Sequence, residues 1–136
     1  MHGLLPQPIE LTMDAVRQTG VREVEVLGKG GEKVRYKGVN LSAVLKEAGA
    51  PLGEALRGQN MAQYLVVRAR DGYRVVFSLA EIDPALTDQV VLLAFLSNGE
   101  PLGPGVGPFR LVVPQDKRQA RWVREVTDIE VKIAKE

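Results

Sequence analysis

Val21-Arg22-Glu23-Val24-Glu25-Val26-Leu27-Gly28-Lys29-Gly30-Gly31-Glu32-Lys33-Val34-Arg35-Tyr36-Lys37-Gly38 is the stretch on which the fold turns. Two runs of β-forming residues flank a glycine-rich tetrad, and glycine supplies the positive φ that tight connections need. The pattern predicts a β-hairpin, Val21 to Leu27 against Lys33 to Gly38. Centring it on Gly30 sets Glu25 opposite Arg35 and Glu23 opposite Lys37. On the other face Val26 meets Val34 and Val24 meets Tyr36. Opposite charges on one face and apolar residues on the other make a half-buried hairpin with a defined register. The charges therefore read as a solvated face. The glycines read as a turn and not a phosphate cradle, because no Lys-Ser/Thr pair opens a helix after them.

On the amino-terminal side, residues 1–20 read as an extended lead-in to one domain over 21–136. On the carboxyl side, Leu41, Val44, Leu45 and Ala48 recur at helical spacing, with Asn40 as N-cap and Gly49-Ala50-Pro51 as the stop. Leu52, Ala55 and Leu56 suggest a further helical turn, followed by a loop at Gly58-Gln59-Asn60. Tyr64 to Arg70 and Tyr73 to Leu79 flank Asp71-Gly72, a strong hairpin signal. Ser78 and Glu81 have capping-box spacing for a brief helical turn that ends at Asp83-Pro84. Val90 to Leu96 is an unbroken apolar run, a strand buried on both faces. Asn98-Gly99 turns the chain, and the prolines and glycines of Glu100 to Pro108 predict a stiff loop without a strand. Phe109 to Val113 and the alternating Val126 to Ile133 complete the strands. Strands dominate, helices are short, and the two do not alternate, so the class is α+β.

Composition bounds the chemistry. The chain has 136 residues, 45% hydrophobic and 26% charged, with a net charge of +1. That balance directs it to neither nucleic acid nor an anionic membrane, and no apolar run approaches a membrane span. There is no cysteine, which removes disulfides, Cys-based zinc, iron–sulfur clusters and a thiolate nucleophile. The only histidine, His2, reads as part of a mobile end, which leaves no material for a triad or a His-metal site. No signal peptide is visible in the first residues. The expected compartment is cytoplasmic, or periplasmic if a signal peptide has been removed.

Two groups of residues could carry chemistry. Asp83, Asp88, Glu100 and Asp116 fall in predicted loops and read as solvated carboxylates. The segment Asn98 to Trp122 is more informative. It gathers Asn98, Arg110, Lys117, Arg118, Arg121 and Trp122 around a stiff loop. Guanidinium groups beside an aromatic suit an oxyanion or a phosphate, because arginine presents a planar fork of donors.

The order of several stretches resembles the oxidoreductase molybdopterin-binding domain of sulfite oxidase, plant nitrate reductase and related bacterial enzymes. They are Gly38-Val39-Asn40-Leu41 with Val44-Leu45 and Ala48-Gly49, Asp71-Gly72-Tyr73, Leu93-Ala94-Phe95 with Asn98-Gly99-Glu100-Pro101-Leu102, Gly107-Pro108-Phe109-Arg110-Leu111-Val112-Val113-Pro114, and Arg121-Trp122-Val123. Together they span roughly residues 20–133. The resemblance implies mixed β-sheets with a β-grasp-like part and short helices, a molybdopterin cofactor, and oxygen-atom transfer. It also implies a molybdenum-ligating cysteine falling near Leu27 to Lys33, where this chain has none. Val106-Gly107-Pro108-Phe109-Arg110 lacks the family's histidine, and Arg121-Trp122 stands where a Lys-Trp pair is usual.

Molybdopterin remains the cofactor implied by resemblance, while molybdenum ligated by a protein thiolate is excluded. The expected function is a domain without molybdenum redox catalysis, binding a small anionic or pterin-like ligand or a protein partner. The alternatives are a molybdenum-cofactor oxidoreductase or subunit of the sulfite oxidase type, and a structural domain with no ligand.

Overall fold

The hairpin forms in the predicted register. In the computed structural model, which describes residues 1–135, β2 (Val21–Leu27) pairs antiparallel with β3 (Lys33–Asn40). Glu23 lies opposite Lys37, Val24 opposite Tyr36, Glu25 opposite Arg35 and Val26 opposite Val34. Burial decides the faces: Tyr36 is buried and the three valines are half-buried, while Glu23, Glu25 and Arg35 are exposed.

β3 continues the sheet to β6 (Leu92–Ser97), whose residues Leu92 to Phe95 are fully buried. A bulge between Lys37 and Gly38 lets these two strands close together. Only glycine fits at 38, because a Cβ there would stand 2.1 Å from the Leu93 carbonyl oxygen. β6 turns at Asn98-Gly99, where both residues have positive φ, as a two-residue hairpin loop of the primed type requires. The chain then adds the two-residue β7 (Glu100–Pro101), a strand that the prolines and glycines of this stretch had hidden. β8 (Arg110–Val112) also pairs with β6.

The second sheet has the order β1-β9-β4-β5, with β1 (His2–Gly3), β4 (Gln63–Ala69), β5 (Arg74–Ser78) and β9 (Val126–Ile133). β4 and β5 form the hairpin predicted around Asp71-Gly72. The core lies between the two sheets and the short helix α2 (Leu41–Glu47), whose Leu41, Val44 and Leu45 are all fully buried. Burying a leucine or valine side chain contributes roughly 1.5–3 kcal/mol, so these helical positions anchor α2 to the core.

Other sequence expectations are also corrected or refined. Residues 1–20 are not simply extended: they hold β1 and a short helix α1 (Met13–Arg17), and Met1, Leu5 and Val16 are buried in the core. His2 is not a mobile end, since β1 pairs parallel with β9 and the His2 ring bonds Asp128 at 2.7 Å. Asn40 is the N-cap residue of α2 as expected, but its side chain makes no capping bond; its oxygen accepts from Arg22 instead. Asp83 is not solvated but only 1% exposed, and its carboxylate accepts from the amides of Gly53 (2.7 Å) and Ala85 (2.9 Å). Gly58-Gln59-Asn60 is no open loop but part of a 3-10 turn, Gly58–Ala62. The Ser78–Glu81 pair does form reciprocally, with Ser78 N donating to the Glu81 carboxylate (2.7 Å) and Glu81 N to Ser78 Oγ (3.2 Å), although it caps a turn and not a helix.

Candidate functional site

β8 places Arg110 at the edge of the first sheet, with its side chain pointing away from the inward-facing Leu111. The guanidinium stands 5.4 Å from the Trp122 ring centre and 5.9 Å from that of Tyr36. The two rings meet edge-to-face at 6.2 Å. Arg110 donates to the Tyr36 hydroxyl (3.2 Å) and, at a longer 3.4 Å, to the Gln119 side-chain oxygen. Its Nε is buried without a partner. Burial, and to a lesser degree the nearby Arg124, lowers its pKa from the ordinary arginine value, and contact with Tyr36 opposes the shift. Arginine nonetheless stays protonated throughout the accessible pH range. This is a half-buried cation with no carboxylate beside it among the described residues, and such a charge is stabilised by a partner from solution.

Arg110 lines a cavity of about 590 Å³ together with Lys29, Lys117, Arg118, Arg124 and Trp122. Five cations face this space, and among the described lining residues there is no carboxylate. Leu27 and Gly28, at the tip of the first hairpin, form part of the rim. They lie in the stretch where the resemblance implies a metal-ligating cysteine.

Of the six residues singled out in sequence, Arg110, Lys117, Arg118 and Trp122 come together at this cavity. Asn98 lies apart, in the β6–β7 turn, where its side-chain oxygen accepts from Arg35 N at 2.9 Å. Arg121 is two-sidedly engaged instead. It forks onto Asp116 with two 2.9 Å bonds, donates to Glu81 at 3.0 Å, and lies 4.5 Å over the Phe77 ring. The Asp116 hydrogen bonds and the Glu81 contact raise its pKa. Asp116, expected as a free loop carboxylate, is thereby paired. Lys29 and Arg124 escaped the sequence reading. Lys29 sat in a glycine turn with no phosphate-loop pattern, and Arg124 followed the tryptophan as an ordinary basic residue. Pairing β3 with β6 and β6 with β8 is what brings the hairpin tip to Arg110.

The donor set fits one part of a molybdopterin-type group and not another. Convergent guanidinium and ammonium groups suit a phosphate or other anion. For a metal the chain offers no thiolate, and the described residues contain no cluster of three or more His, Cys, Asp or Glu side chains. No helix among them is long and apolar enough to cross a membrane.

Comparison with known families gives one result. The family profile described as the oxidoreductase molybdopterin binding domain matches residues 10–136. A search of curated proteins finds no match.

Proposed function

Because this chain belongs to the oxidoreductase molybdopterin-binding domain family, we propose that it acts as a binding module for a small anionic or pterin-like ligand, held at the cavity of Arg110, without thiolate-ligated molybdenum catalysis. The observation that carries this reading is Arg110 itself: a half-buried guanidinium with no carboxylate partner among the described residues, facing a space lined by four further cations. Arg110 supplies a fork to the anion, and Tyr36 and Gln119 hold that fork in orientation. Lys29, Lys117, Arg118 and Arg124 supply longer-range attraction and charge neutralisation. Trp122, buried beneath the Arg110 guanidinium, forms part of the cavity wall.

The same reading accounts for what the sequence lacks. A soft protein ligand is the part of the family's metal site with no counterpart here. Removing it leaves the anion-binding half of the site intact.

Trp122 is the only tryptophan in the chain, so its emission reports on the cavity directly. Titration with inorganic phosphate should change that emission saturably in the wild type. In Arg110→Ala the affinity should fall about tenfold or more, the scale of a lost charge-assisted hydrogen-bonded pair. Unchanged affinity in Arg110→Ala would remove Arg110 from the site.

A further inference from the structure

The cavity wall nearest Trp122 is an irregular segment, residues 115–125, between β8 and β9. A second, smaller cavity of about 240 Å³ lies behind it, lined by Asp71, Tyr73 and Val123 and sharing Gln119, Ala120, Trp122 and Arg124 with the first. The wall therefore has open space on both sides and no strand partner along Lys117 to Ala120. Trp122 and Val123 anchor its carboxyl end in the core, whereas Lys117, Arg118 and Ala120 are exposed, so point contacts must hold that part of the wall.

Two such contacts stand out. At one, Arg121 binds Asp116 and Glu81 and so closes the segment into a loop against β5. At the other, the Tyr73 hydroxyl donates to the Ala120 carbonyl. Tyr73 is itself held by the hairpin turn: its amide donates to the Asp71 carboxylate (3.0 Å), and Gly72 adopts the positive φ the turn needs. A tyrosine that is 48% exposed has little burial to explain its presence. Its polar tip is engaged with the wall, next to the residues that face the anion.

Resting on the anion-binding reading above, we infer that Tyr73 is a positioning residue for the cavity. Its hydroxyl latches the Ala120 carbonyl, and this holds Lys117, Arg118 and Gln119 at the distance from Arg110 that a bound anion needs. Tyr73 does not touch the ligand. It assigns a role to the Asp71-Gly72-Tyr73 turn beyond reversing the chain.

The test compares Tyr73→Phe with the wild type and with Ile82→Val, a core trim whose residue lines neither cavity. Inorganic phosphate is the probe, Trp122 emission the readout, and thermal unfolding the control. Tyr73→Phe should bind phosphate about three- to tenfold more weakly, the size of one hydrogen bond. The emission of the free protein should shift to the red as water reaches the loosened Trp122 wall. Ile82→Val should match the wild type in both. Equal affinity and emission in Tyr73→Phe would overturn the latch. So would an equal loss in the two variants, which would mark a general stability effect. A wild-type protein that does not respond to phosphate would reject the anion site itself, before any variant is compared.

Discussion

Arg110 and Arg121 share a residue type and a sequence neighbourhood, yet their surroundings give them opposite roles. Arg121 has two carboxylates and an aromatic face, so its charge is satisfied within the fold. Arg110 has a phenol, an amide oxygen and two aromatic rings, but no carboxylate among the described residues, so its charge is not. Arg121→Ala should therefore lower stability by about 1–2 kcal/mol in urea unfolding, more than an isolated surface pair, because the fork is bidentate and partly buried. Arg110→Lys should bind phosphate more weakly than the wild type and better than Arg110→Ala, since an ammonium keeps the charge but loses the planar fork; phosphate titration followed by Trp122 emission checks both. A sequence shows that both arginines exist but not which carboxylates reach them. Asp116 lies five residues from Arg121 and Glu81 forty residues away. The second pairing exists only once the segment folds against β5, which is why both arginines read alike as ligand candidates.

At the scale of elements, the hairpins were legible because their information is local. The β2–β3 register follows from charge and β-branching within eighteen residues, and Asp71-Gly72 marks β4–β5 by turn chemistry alone. β1 and β7 were not legible. Each has two residues, too few for a period, and exists through partners far along the chain or masked by proline. The turn at Asn98 is an element feature that resembled a ligand feature. Asn98→Ala should cost about 1–2 kcal/mol, the penalty of a left-handed residue without a tolerant side chain, and thermal unfolding should register it. Phosphate affinity should stay at the wild-type value, since Asn98 does not line the Arg110 cavity. Gly38→Ala should destabilise by about 1–3 kcal/mol or more, because its methyl would meet the Leu93 backbone and force β3 from β6.

Across the whole molecule the charges almost cancel, at +1 overall, but they are not evenly placed. Most acidic residues on the second sheet and the Arg121 loop are paired, as with Arg68 between Asp128 and Glu130. Among the described residues the cations of the Arg110 cavity form no ion pair. A net charge near zero thus conceals a local field able to attract an anion. That field should weaken with salt as the Debye length falls from about 10 Å at 0.1 M to about 3 Å at 1 M. A phosphate titration repeated with added sodium chloride should show affinity falling steadily, whereas binding by hydrogen bonds alone would hold. Family membership and the α+β architecture were readable from the order of motifs. The sequence also shows that the chain holds no cysteine. The cavity was only partly readable, because Lys29 reaches it only through sheet pairing and Arg124 followed the tryptophan as an ordinary basic residue.

The decisive measurement is molybdenum and pterin content in the protein purified from a host that makes the molybdenum cofactor, alongside phosphate titration of the same sample. The expected result is molybdenum far below one atom per chain, with a saturable Trp122 response to phosphate that Arg110→Ala weakens. Stoichiometric molybdenum with extractable pterin would contradict a binding module that lacks the metal centre.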